Sequence, residues 1–298
     1  MDSNKFPHQR KRKGLITETQ THWYNSPLTS SYLVKNTLNG PEKTQYGHPV
    51  ILLPGGFDPH QGTYSENVIR QLLTKPNINA VYDVHFYSEK RAGYLDPESF
   101  IQDITKIYTT EGKKPILVGM SGSTLLLLFS LYRLKQKNHF PNAQSTLLIG
   151  PYVPSHHSLL GKNISLYYNR KKLREKVANH CGHQYLFGNS DRIQDYWDSN
   201  PVFSQAIRKK EFHNLAGSLK TSLDVLFFKL DTLSASGKRM LQDLFGANIL
   251  KSQISKHHRS LLHIPEFDEM LADYCNEAGA PVDLSVQDRT PAQHTSSV

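Results

Sequence analysis

Residues 115–134 read PILVGMSGSTLLLLFSLYRL. The short apolar run at residues 115–119 has the length of a buried strand, and residues 124–134 have the length and apolar content of a helix. Between them stand Gly119, Met120, Ser121, Gly122 and Ser123. A strand passing straight into a helix through small residues must turn sharply. Such a turn puts its central residue, Ser121, in strained backbone geometry above the end of the sheet. Gly119 and Ser123 are the small neighbours needed where strand and helix nearly touch. The N–H groups of the new helix face the same spot and suit a developing anion.

The same alternation extends in both directions. Residues 49–53 (PVILL) and 80–87 (AVYDVHFY) read as strands, and residues 65–74 place Val68, Ile69, Leu72 and Leu73 on one helical face. Residues 96–108 open with Asp96, Pro97 and Glu98, a cap, a proline at the first helical position and an acid. Further strands are expected at residues 146–149, 224–229 and 247–254, and helices at 236–245 and from Pro265 onward. Residues 22–24 and 32–35 are candidates for antiparallel edge strands. Strands alternating with helices of ten or more residues imply parallel pairing, and near-continuous apolar strands imply a sheet covered on both faces. The expected class is α/β, a doubly wound and mostly parallel sheet. Sites in such sheets lie at the carboxyl ends of the strands.

The chain has 298 residues, of which 38% are apolar, 20% charged and 10% aromatic. That excludes a disordered polyelectrolyte and is enough for one large core. The longest apolar run is residues 125–129, far short of a membrane span, and no apolar stretch follows the basic residues 10–13, so a soluble, cytoplasmic protein without a secretory signal is expected. Two cysteines, Cys181 and Cys275, cannot form a disulfide framework. The net charge of +9 is local. Residues 1–14 hold five basic residues and one acid, residues 162–176 hold six and one, and the remainder is neutral. A nucleic-acid partner is therefore not expected.

The turn at Ser121 resembles the nucleophile elbow of the α/β-hydrolase family, with Ser123 where the family usually has glycine. The resemblance covers residues 45–155 and 223–275 and implies the family's fold and its chain order of serine, acid, histidine. Residues 224–229 end in Leu230 and Asp231. A helix, a strand and then Ser255, Lys256, His257 and His258 follow, ahead of Pro265 and the final helix. On this resemblance Ser121 is the nucleophile, Asp231 the acid and His258 the base, in preference to His257. Asp191, at the end of another strand-like stretch, is the alternative acid. The oxyanion hole would take the N–H of Gly122 and that of Gly56 or Phe57. The latter lie in the loop Pro54, Gly55, Gly56, Phe57, which is similar to the family's His-Gly loop with proline in place of histidine. The implied activity is hydrolysis of a carboxylic ester or thioester through an acyl-enzyme, on a small-molecule or lipid-like acyl substrate. An acyltransferase on the same triad, or a silent scaffold used for binding, are the alternatives. No cofactor is implied.

The expected organisation is a disordered basic tail at residues 1–20, hydrolase core at 21–155, a helical lid inserted at 156–222, core again at 223–279, and a loose tail at 280–298. The lid stretch holds the basic cluster, several aromatics and the group His180, Cys181, His183, residue types that bind metals but at a spacing that matches no strong zinc pattern, so no metal is expected. A basic, aromatic lid could meet an anionic head group or a membrane surface. Asn163, Ile164 and Ser165 form a formal glycosylation sequon with nothing to imply secretion.

Overall fold

A computed structural model describes residues 15–20, 30–38, 47–53, 64–87, 97–121, 123–136, 143–151, 223–228, 238, 241–242, 247–251 and 265–280. Eight strands form one sheet: β1 (Leu15–Gln20), β2 (Ser30–Leu38), β3 (His48–Leu53), β4 (Ile78–Tyr87), β5 (Ile116–Met120), β6 (Ser145–Ile149), β7 (Asp224–Phe227) and β8 (Asn248–Lys251). Their spatial order is β1-β2-β4-β3-β5-β6-β7-β8. Helices α1 (Glu66–Thr74), α2 (Pro97–Glu111), α3 (Ser123–Gln136) and α4 (Pro265–Ala278) accompany them.

β2 runs antiparallel to both neighbours, β1 and β4, and every pairing from β4 to β8 is parallel. The doubly wound, mostly parallel sheet read from the sequence is therefore present. Two expectations change. Residues 15–20, assigned to the basic tail, form β1, paired from Leu15 opposite Leu38 to Gln20 opposite Leu33. The strand expected near residues 32–35 is longer and internal, because β1 covers its outer side. The proposed strand at 22–24, the lid at 156–222 and residues 281–298 of the expected tail lie outside the described residues.

Alternation along each strand sorts the core into two faces. Val50, Leu52, Val81, Ile116, Val118, Met120, Leu147, Ile149 and Leu226 point to one face, under Val68, Ile69 and Leu72 of α1 and Phe267, Leu271 and Cys275 of α4. Ile51, Leu53 and Leu117 belong to the other face and are fully buried as well. There α3 comes so close that a Cβ on Gly119 would lie 3.0 Å from a Leu127 methyl. That approach explains the glycine two residues before Ser121.

The helix ends follow from their residues. Ser65 caps α1, its hydroxyl accepting from the N–H of Val68 at 3.2 Å. α4 is tied to α1 by Asn67 Nδ2 donating to Asp268 at 2.6 Å, and to the following turn by an ion pair between Lys75 and Asp273.

Candidate active site

The strand order places one point of the sheet apart. β3 passes through α1 to β4 on one side, and the chain then returns through α2 to β5 on the other side of β3. The connections after β3 and β5 thus lead to opposite sides, which makes their carboxyl ends the topological switch point, the place where ligands bind in open α/β sheets. Ser121 directly follows β5, and residue 54 directly follows β3.

Ser121 has φ of +52°, the only positive value at a non-glycine among the described residues. A left-handed conformation at a side-chain-bearing residue costs on the order of 1–3 kcal/mol and persists only where surrounding bonds over-determine it. Here they do. The Ser121 N–H donates to the Ile149 carbonyl at 2.9 Å, and the Ser121 carbonyl accepts from the Thr124 N–H at 3.2 Å and the Thr124 hydroxyl at 2.5 Å. Two strands and the first turn of α3 together hold one strained residue. Ser121 is 9% exposed.

Ser123, the departure from the family pattern, fits without disturbing the turn. It is 5% exposed, and its hydroxyl is engaged within the site. The Met120 N–H donates to Ser123 Oγ at 3.1 Å, and the hydroxyl faces the carbonyls of Met120 at 2.8 Å and Leu53 at 3.3 Å. The Leu53 carbonyl also accepts from the Tyr64 hydroxyl at 3.3 Å. Burial pushes the Tyr64 phenol well above its ordinary range, with the Asp83 carboxylate adding to the effect, so it remains a donor. The sequence carried no sign of Tyr64, because a side chain bonding to a backbone carbonyl leaves no pattern of spacing.

Of the site residues expected from sequence, the structure describes Ser121. Asp231, His257, His258, Asp191, Gly56, Phe57 and Gly122 lie outside the described residues. A separate groove of about 530 Å³ runs along α4, floored by Leu226, Leu250 and Met270 and edged by Glu266, Glu269 and Glu277. Among the described residues its lining includes no serine, cysteine or histidine.

The sheet order, the reversed β2 and the strained strand-to-helix serine define an α/β-hydrolase fold. Comparison with solved structures supports this. The carboxyl esterase 2 (TmelEST2) of the mycorrhizal fungus Tuber melanosporum is 15% identical, with 93% of each chain covered and a TM-score of 0.58. The peroxisomal alpha-beta-hydrolase Lpx1 of Saccharomyces cerevisiae is 13% identical, with 94% of each chain covered and a TM-score of 0.54. A structure from work on two fungal esterases of Rhizomucor miehei is 14% identical over 89% of this chain and 84% of that one, with a TM-score of 0.57. At such identities the likeness is one of fold. No protein-family model matches the chain, and no curated protein matches it in sequence.

Proposed function

We propose that this protein is a serine hydrolase that cleaves a carboxylic ester or thioester of a small-molecule or lipid-like acyl substrate. The observation that carries the reading is the positive φ of Ser121 at the switch point of the sheet. A turn serving only to start a helix has no need of strain, and a glycine there would remove it. Esterases among the structures of the same fold add support.

In the mechanism, Ser121 Oγ attacks the acyl carbon while His258 accepts its proton. The tetrahedral oxyanion is met by the N–H of Gly122 and by that of Gly56 or Phe57. His258 then returns the proton to the leaving alcohol or thiol, giving the acyl-enzyme. A water, deprotonated by the same imidazole, releases the acid. Asp231 holds the imidazole tautomer and stabilises the imidazolium. The basic residues 162–176 would act in substrate choice, toward an anionic head group.

A fluorophosphonate probe tests the reading. Wild type should be labelled and Ser121→Ala should not. An unlabelled wild type overturns the hydrolase in favour of a silent scaffold. Asp231→Asn should abolish turnover while Asp191→Asn leaves it intact, and the reverse result moves the acid to Asp191.

A further inference from the structure

The peptide joining Leu53 to Pro54 is the one through which β3 passes on toward Gly56 and Phe57, the second oxyanion donor of the proposed mechanism. Proline has no N–H, so this peptide can be held only by its carbonyl. That carbonyl faces two buried hydroxyls, Tyr64 at 3.3 Å from the residue preceding the α1 cap, and Ser123 at 3.3 Å from the first residue of α3. Leu53 is fully buried, and Tyr64 and Ser123 are 4% and 5% exposed, so water is a poor substitute for either donor. Leu53 also lies opposite Gly119 in the last pair of the β3–β5 ladder.

From this geometry we infer that Ser123 and Tyr64 are positioning residues, a pair of hydroxyls clamping the Leu53 carbonyl and so fixing the end of β3, from which the chain continues to the proposed oxyanion donor at Gly56 or Phe57. The inference rests on the hydrolase reading above. It also accounts for both departures from the family pattern at once. Where the loop has proline rather than histidine, the holding is done from behind, by a serine where glycine is usual. The two hydroxyls are not equivalent. Tyr64 faces one carbonyl, whereas the single proton of Ser123 chooses between Leu53 at 3.3 Å and Met120 at 2.8 Å. When Tyr64 is present, Ser123 can serve Met120. When the phenol is removed, Ser123 can turn to Leu53.

That redundancy gives the test. Ser123→Ala and Tyr64→Phe should each lower kcat on a p-nitrophenyl ester, and the rate of fluorophosphonate labelling, by about three- to tenfold. The double variant should lose about a hundredfold or more beyond the product of the singles, as expected when an oxyanion donor is misplaced. KM should stay within about twofold throughout, because substrate is held elsewhere. Ser123→Gly, which restores the family residue, should behave as Ser123→Ala. A double variant equal to the product of the singles overturns the clamp, and so does a loss shared equally between kcat and KM. Should the double variant fail to fold, the kcat-against-KM split of Tyr64→Phe decides alone. A wild type that is never labelled overturns the hydrolase reading and the positioning role with it, whereas a labelled wild type with independent variants overturns only the clamp.

Discussion

At the amino ends of β6, β7 and β8, the last two turns of α4 meet the sheet through a chain of polar groups. Ser145 and Tyr274 share a hydrogen bond of 2.6 Å, Tyr274 donates to Asp224 at 2.7 Å, and Asn248 reaches the other oxygen of Asp224 at 2.9 Å. Asn77 donates twice to Asn276, from its backbone N–H to Oδ1 at 3.2 Å and from Nδ2 to the carbonyl at 3.0 Å, and Gln144 donates to the Ala278 carbonyl at 3.3 Å. At the carboxyl ends of β3 and β5, the buried polar groups are of similar kind but hold a backbone that would otherwise relax. The first set contributes to stability in the ordinary way, each bond being worth on the order of 1 kcal/mol net. The second offsets strain, and its yield is geometry. One sheet thus separates an end held by ordinary polar contacts from an end that holds a strained serine, and substitutions should divide the same way.

The largest expected effect is at the strained end. On the proposed reading, Ser121→Ala should reduce ester hydrolysis by about a millionfold or to background, as loss of the nucleophile does in serine hydrolases, while the melting temperature barely moves. Activity surviving this change would erase the contrast between the two ends. Next comes a buried carboxyl that belongs to neither set. Asp103 on α2 is 2% exposed, and its Oδ2 has no hydrogen-bond partner among the described residues. Burial pushes its pKa up to about 8, against a smaller lowering by the Lys106 charge. The folded state therefore keeps a proton that the unfolded chain releases near pH 4. Stability from this group falls as pH rises between about 4 and 8. Asp103→Asn should accordingly stabilise the protein by a few kcal/mol at pH 8, and by little at pH 4, in paired thermal melts. A benefit independent of pH would show that the carboxyl is not held neutral.

At the stable end, Tyr274→Phe should cost about 1–3 kcal/mol in urea titration, since it leaves Asp224 and Ser145 short of a partner. Fluorophosphonate labelling of Ser121 should keep its wild-type rate. A loss of labelling at unchanged stability would mean that the two ends are coupled. The smallest effect has the opposite sign. Ser121→Gly should raise stability by about 1 kcal/mol over Ser121→Ala, because glycine accepts the positive φ without strain. Equal stabilities would show that the turn relaxes when its side chain changes.

How much of this was legible in the sequence depended on whether the signal was local. β3, β5 and β6 were readable as apolar runs because both of their faces are buried, and α1 because Val68, Ile69, Leu72 and Leu73 form one stripe with Ser65 ahead of it. β1 was not readable. Its sequence, LITETQ, is two-thirds polar and owes its strand to the β2 edge beside it, a long-range partner that no local pattern announces. Ser121 was readable from the strand–turn–helix around it. The role of Ser123 was not, because its hydroxyl acts on Leu53, which is distant in sequence, and in the one-dimensional pattern it is only a substituted glycine.

The partnership of α1 with α4 bears on how the protein is made. Asn67 and Asp268 are 201 positions apart, and the apolar stripe of α1 is covered by residues 267–275. At ordinary rates of translation, roughly 10–40 s separate the emergence of the two helices from the ribosome. Throughout that interval Val68, Leu72 and their neighbours have no native cover on the side that α4 will occupy. Native cover on that side of α1 therefore waits for the arrival of α4.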